Sequence, residues 1–280
     1  MQRRFFLRKS TTGAAAAAVS PLIGLAATLR AESEGEKSAP LIDTNISLDR
    51  WPFSNVGSAS AEALASKLHE NGVVQAWAGS FDALLHPNLD AVNDRLAAEA
   101  KSHSIFLPMG AVNPNSRSWK RTLDRCASVH RMRGIRLHPD FHGYSLDDPK
   151  FAELLDAAAE RGLLVQIALG LNSKSRPLSP RFKLEKPNPA ALLSVIKPEH
   201  RIQILGAIES IKSVKLISKL AAVGVHFESS SAAENWIASV SPERIHFGSN
   251  APFQPFSKPD ETVLTASIAS HNAENLMLQA

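Results

Sequence analysis

The chain has 280 residues, of which 44% are hydrophobic and 21% charged, a globular composition that excludes a disordered or fibrous protein. Its single cysteine, Cys126, excludes a disulfide-stapled scaffold and reads as a buried small hydrophobe. The net charge of +4 does not argue for nucleic acid, because residues 1–31 hold five basic side chains and no acid, which more than accounts for the excess.

Those bases begin an address. Arg3-Arg4-Phe5-Phe6-Leu7-Arg8-Lys9 precedes an alanine-rich apolar stretch from Thr11 to Thr28, a charged region followed by a moderately hydrophobic one. The arginine pair followed by Phe and Leu resembles a twin-arginine export signal. Pro21 and the abundance of Ala, Gly and Ser disfavour a permanent span, so no membrane anchor is expected after cleavage near Ala31. The expected destination is the periplasm or another extracytoplasmic space. Residues 32–40 read as a polar linker, and residues 41–280 as one domain.

From Leu41 onward short apolar runs alternate with helical patterns. Strands are expected at 41–46, 73–78, 105–112, 134–138, 163–169, 201–205, 223–228 and 244–248. Ser60 is placed to cap a helix whose Leu64, Ala65 and Leu68 share a face and which Asn71-Gly72 closes. Phe151, Leu154, Leu155 and Ala158 form a second stripe ending at Gly162. Ile211, Val214, Ile217 and Ala221 form a third, before Gly224, and a last helix opens at Asp260. Strict alternation implies parallel strands joined by right-handed crossovers. Eight such units fit a single (β/α)8 TIM-type barrel, an α/β fold of roughly 250 residues. The runner-up is an open doubly wound sheet, but no Gly-x-Gly-x-x-Gly follows the first strand.

A barrel places chemistry at the carboxyl ends of its strands. Those ends carry Asp43-Thr44-Asn45-Ile46-Ser47, Trp77-Ala78-Gly79-Ser80, Gly134-Ile135-Arg136-Leu137-His138-Pro139, His226 with Glu228, and Phe247-Gly248-Ser249-Asn250-Ala251-Pro252-Phe253. Together with Asn272-Ala273-Glu274-Asn275-Leu276, these motifs resemble the amidohydrolase-related (amidohydrolase 2) branch of the metal-dependent hydrolases, over most of residues 41–280. The resemblance implies a (β/α)8 barrel and metal-assisted hydrolysis, or in some members decarboxylation, of small molecules. It also implies His-x-His on strand 1, His after strands 5 and 6, and Asp ending strand 8. Here those positions hold Asn45 and Ser47, Ala168, Gly206 or Ala207, and Asn250. Neutral amide and alcohol oxygens are poor substitutes for imidazole and carboxylate, and Ala or Gly offers no side-chain donor. The inherited zinc or other divalent site therefore reads as lost, and no cofactor is expected.

The residual candidates are polar. Arg136 and His138 share strand parity, so Arg136 is placed to hold a carboxylate or phosphate and His138 to move a proton; alternatively both are structural, with Arg136 bonded to Asp43 or Glu228. Asn45 and Asn250 read as donors to developing negative charge. Ser47, His142, Tyr144, Trp77 and Arg176 read as ligand contacts, against the bland alternative of solvated or packed side chains. A second metal arrangement, His226 and Glu228 with His138 and His142, is also open. The segment 171–189, with Pro177, Pro180, Pro187 and Pro189 and the bases Lys174, Arg176, Arg181, Lys183 and Lys186, reads as a stiff basic lid or a solvated loop. Trp51, Phe53, Trp77, Phe253 and Phe256 either wall an apolar pocket or seal the mouth. Two functions follow: a metal-free hydrolase or lyase acting on a small carboxylated or anionic molecule, or a non-catalytic protein that binds such a ligand.

Overall fold

A computed structural model describes residues 40–53, 60–169, 171, 184, 186–229, 236–258, 265 and 267–278, all within the unit Ala39–Ala280. The expected export signal, nearly all of the linker, most of segment 171–189 with Arg176, and the expected helix start at Asp260 lie outside the described residues.

Parallel strands β1 (Leu41–Leu48), β2 (Val73–Ser80), β3 (Phe106–Ala111), β4 (Gly134–Leu137), β5 (Leu164–Ala168), β6 (Ile202–Leu205), β7 (His226–Ser229) and β8 (Ile245–Phe247) follow one another in sequence order around one sheet. Each overlaps its expected segment. Sequential order rules out the doubly wound alternative, whose strand order reverses at a switch point. The seam between β8 and β1 is closed largely by residues flanking the three-residue β8. Ser47 N donates to Ala251 O at 2.9 Å, Thr44 Oγ1 to Phe247 O at 2.9 Å, and Ser249 N to Asp43 Oδ1 at 3.0 Å. Polar residues on β1 thus complete the barrel.

Helices lie between the strands and after the last one: α1 (Ala61–Glu70), α2 (Leu89–Ser102), α3 (Trp119–Asp124), α4 (Pro139–His142), α5 (Pro149–Glu160), α6 (Leu192–Val195), α7 (Ala207–Ser210) and α8 (Val214–Ala222), then α9 (Asn272–Leu278) following β8. Ser60 caps α1 by accepting from Ala63 N, and Leu64, Ala65 and Leu68 are its buried face. Burying the two leucines stabilises the fold by roughly 3–6 kcal/mol. On α5 the buried residues are the expected Phe151, Leu154, Leu155 and Ala158. The third stripe differs. Ser213 accepts from Leu216 N and starts α8 at Val214, so Ile211 precedes the helix; Ile217 and Leu220 face inward, while Val214 is 39% exposed. Cys126 follows α3 in a wide helical turn, Arg125–Val129. It is fully buried, and burial pushes its thiol up to about 12. Among the described residues no helix is long and apolar enough to cross a membrane.

Inside the barrel a polar layer stands between two apolar ones. Arg136, Gln166 and Gln203 occupy paired positions on β4, β5 and β6. Gln166 Nε2 donates to Gln203 Oε1 at 2.8 Å and to Thr44 O at 2.8 Å, and Gln203 Nε2 donates to Thr44 Oγ1 at 2.9 Å. Each polar atom of these buried amides has a partner, which is what allows them inside. Below them Ile42, Trp77, Met109 and Leu164 pack with Ala273, Leu276 and Met277 of α9. Above, Trp51, Phe81 and Phe253 form an apolar cluster with Ala168, Leu171 and Leu205.

Candidate functional site

The five positions whose metal-ligand character is expected from the resemblance converge. Asn45 and Ser47 on β1, Ala168 at the end of β5, Gly206 after β6 and Asn250 after β8 line one pocket at the carboxyl ends of the strands, together with Arg136 and His138. Gly206 rather than Ala207 is the lining residue there. The space among the described residues is about 10 Å³, the size for about one water molecule. Asn250 sits in the left-handed region at φ 56°, a backbone state that asparagine tolerates better than most residues.

The donors at these positions are two amides, one hydroxyl, a methyl group and a bare backbone. Asn45 Nδ2 donates to Glu228 Oε2 at 2.7 Å, so one amide hydrogen is committed across the mouth and one is left. Beneath, Asp43 is wholly buried. Its Oδ1 accepts from the backbone N–H of Asn45 and of Ser249, each at 3.0 Å. Burial raises its carboxyl to about 6 against these hydrogen bonds and the nearby Arg136.

Arg136 occupies the mouth, but its guanidinium faces the protein. Nε donates to Gln166 Oε1 at 2.9 Å, Nη1 to Ile46 O at 2.7 Å and to Ser47 Oγ at 3.3 Å, and Nη2 to Trp77 O at 3.1 Å. Burial lowers its pKa to about 10, opposed by Glu228 and then Asp43, so it stays charged at neutral pH. The expected ion pair to a strand carboxylate is replaced by carbonyls and Gln166, with both carboxylates acting at longer range. As an anchor for a ligand carboxylate, Arg136 has one guanidinium hydrogen left. Gly79 lies against it: a Cβ there would come within 2.7 Å of Nη1.

His138 is different. It is 4% exposed, and neither ring nitrogen has a hydrogen-bond partner. Burial, then His142, then Arg136 hold it well below its ordinary pKa, so the imidazole is neutral. Its ring meets that of His142 edge-on, centroids 6.0 Å apart. His142 Nε2 donates to Ala83 O at 2.9 Å, which fixes that ring between the loops after β2 and β4; burial lowers its pKa as well.

Other expected contacts lie elsewhere. Trp77 packs in the lower layer with Ile42 near the start of β1 and Leu164 at the start of β5, because it stands below Gly79 on the same face of β2. Tyr144 stacks on Phe151 of α5 at 5.8 Å and is 7% exposed, so it belongs to the core behind the mouth. Arg176 is outside the described residues. The second metal arrangement does not assemble: His226 turns to His246, Nδ1 to Nε2 at 2.8 Å, and receives Arg244 Nη1 at 2.7 Å. Among the described residues the one cluster with metal-ligand spacing is Asp156, Glu199 and His200, and there Lys197 Nζ already holds Asp156. Trp51, Phe53, Phe81, Phe141 and Phe253 meet through tilted or edge-on contacts and seal one side of the mouth. Phe256 instead packs on Phe247.

Gln166 and Gln203 were not expected. The signal for the glutamines was present: each is the one polar residue in an apolar strand, Leu-Val-Gln-Ile-Ala and Ile-Gln-Ile-Leu.

Comparison with known proteins places this geometry. The family model described as Amidohydrolase matches residues 46–206. None of the curated proteins matches the chain in sequence. Among solved structures, 2,6-dihydroxybenzoate decarboxylase from Rhizobium is similar with a TM-score of 0.61 at 12% identity, covering 86% of this chain and 99% of that one. The 5-carboxyvanillate decarboxylase of Sphingomonas paucimobilis gives 0.62 at 14%, covering 86% and 99%. Amidohydrolase 2 from Bifidobacterium longum subsp. infantis gives 0.61 at 17%, covering 87% and 100%. At these identities the likeness is one of fold.

Proposed function

The chain belongs to the amidohydrolase family, and from that premise we propose that it is an exported member that acts on a small carboxylated molecule at the barrel mouth without a divalent metal. The observation that carries the reading is His138: a buried, neutral imidazole with both nitrogens unpartnered, beside room for one water. A neutral imidazole keeps a lone pair free for a proton, and the burial that lowers its pKa makes it a weak base that passes the proton on readily. For hydrolysis, the water oxygen bonds to the substrate carbonyl carbon, His138 takes the water proton, and the same proton passes to the leaving group as the tetrahedral centre breaks. Asn250, whose side chain makes no hydrogen bond among the described residues, and the second amide hydrogen of Asn45 are the donors for the developing oxyanion.

The metal implied by the family does not fit this donor set. A catalytic zinc needs about three imidazole or carboxylate ligands; these five positions supply none, and the nearby Glu228 carboxyl already accepts from Asn45. No step is therefore routed through a cation. The carboxylated substrate is supported by the two similar structures that are decarboxylases of aromatic acids. Export rests on the arginine pair and apolar stretch of residues 3–28.

A second reading, a binder without turnover, is favoured by the commitment of Arg136 to the scaffold. The two separate in a panel of carboxylated esters and amides, with decarboxylation followed in parallel, on the native chain and His138→Gln. Turnover lost in the variant supports proton transfer at His138; turnover untouched by it removes that role. Absence of turnover with a raised melting temperature in the presence of a panel compound gives the binding reading.

A further inference from the structure

A larger cavity stands beside the mouth and shares no lining residue with it. It has a volume of about 470 Å³ and lies among the loops after β2, β3 and β4, within the roughly 300–1,000 Å³ range of small-molecule sites. Its walls are cross-linked. Asn115 Nδ2 donates to Gly143 O at 3.1 Å, tying the β3 loop to the β4 loop. His142 Nε2 ties the β4 loop to Ala83. Asp90 at the start of α2 accepts from Arg121 Nη2 at 2.8 Å and from Thr122 Oγ1 at 2.7 Å, both on α3. A cavity held from three sides is formed before any ligand arrives, so little ordering is lost on binding.

Its chemistry is that of a neutral, oxygen-rich ligand. Asp90 and Arg121 are the charged lining residues among those described, and they neutralise each other. Asn88 and Asn113 each use the amide oxygen locally, accepting from Ala91 N and Asn115 N, and their Nδ2 groups make no hydrogen bond among the described residues. His86 Nδ1 accepts from Asn88 N at 3.0 Å, which places the ring hydrogen on Nε2. Three donors therefore have no acceptor among the described residues, and Trp119 and Phe141 add aromatic surface. Donors around an aromatic wall suit a ring with one apolar face and an edge of hydroxyl oxygens. We propose that this cavity is a second ligand site, separate from the mouth, for a neutral sugar of one or two rings.

Isothermal titration calorimetry on the purified full chain tests this, with glucose, galactose, N-acetylglucosamine and sucrose as probes and benzoate as the anionic comparison. One of the sugars should bind saturably. Asn113→Ala should weaken it by about tenfold, the loss of one good hydrogen bond, and Ser116→Trp should abolish it by filling the space, with circular dichroism confirming that each variant folds. Sugar binding unchanged in whichever variants fold would overturn the assignment, as would no heat from any of the four sugars. Benzoate competing for the same site would overturn the neutral-sugar class.

Discussion

Asn45 reaches across the barrel mouth to Glu228, Nδ2 to Oε2 at 2.7 Å, and so joins β1 to β7 over a separation of 183 residues. The family resemblance places a metal-binding imidazole at position 45; here an amide fastens two strands. Asn45→Ala should cost about 1–3 kcal/mol, the range for a buried hydrogen bond whose partner is left behind. Asn45→Asp should cost more at neutral pH, because it sets two carboxyls against each other, and part of the loss should return on acidification. Urea denaturation at several pH values reads both. An Asn45→Asp chain as stable as the native one at neutral pH would mean that the contact does not hold the mouth.

Arg136 predicts a stability phenotype. Arg136→Lys removes the planar fork that reaches Gln166, Ile46 and Trp77 together, and a lysine ammonium cannot reproduce that geometry. A loss of about 3–5 kcal/mol is expected for breaking a buried charged network. Gly79→Ala attacks the same group from outside, since its Cβ would meet Nη1 at 2.7 Å and the guanidinium is held on several sides. Destabilisation by about 1–3 kcal/mol should follow. If Arg136→Lys unfolds at the native denaturant concentration and loses only ligand affinity, the residue is an anchor after all.

The fold was legible because its cues are local and agree with one another. Ser60, Asn71-Gly72 and the Leu64–Leu68 spacing each mark α1 independently, and strand–helix alternation repeated eight times admits few topologies. The convergence of Asn45, Ala168 and Asn250 was expected from the family resemblance, which marks them as ligand positions at the carboxyl ends of strands. Side-chain commitments were less legible, because they depend on rotamers and on partners far away in sequence. Nothing near Arg136 in the chain shows that Ile46 O, 90 positions earlier, accepts its hydrogen. Trp77 and Tyr144 were misplaced for the same reason: sequence puts them near a strand end, while packing turns their rings into Leu164 and Phe151.

Two groups should bend the stability curve in opposite directions. His138 lies well below its ordinary 6.5, so below that pH the unfolded chain takes a proton that the folded chain refuses, and stability falls as pH falls. Asp43 is raised from 3.8 to about 6, so between those values the folded chain holds a proton that the unfolded chain has released, and stability rises as pH falls through that window. Each contributes a limiting slope of about 1.4 kcal/mol per pH unit. His138→Gln should remove the first slope and Asp43→Asn the second, read as differences from the native chain in urea midpoints between about pH 4 and pH 7. An unchanged slope between 6.5 and 5 in His138→Gln would show that the folded chain protonates this imidazole as readily as the unfolded one, so that burial does not hold it neutral.

Chelation gives the most direct test of the altered ligand set. A cation held by the native state at 100 times its dissociation constant would add about 2.7 kcal/mol of stability, and removing it would lower the melting temperature. With amides at Asn45 and Asn250, a hydroxyl at Ser47 and no side-chain donor at Ala168 or Gly206, treatment with EDTA should leave the melting temperature and any turnover unchanged, and added zinc should not raise either. Asn250→Asp provides the sharper comparison. One restored carboxylate still leaves the imidazole positions on β1 and after β5 and β6 without nitrogen donors, so zinc should remain unbound in that variant too. Stoichiometric zinc in the native chain by elemental analysis, lost together with stability on chelation, would show that ligands other than these five hold it.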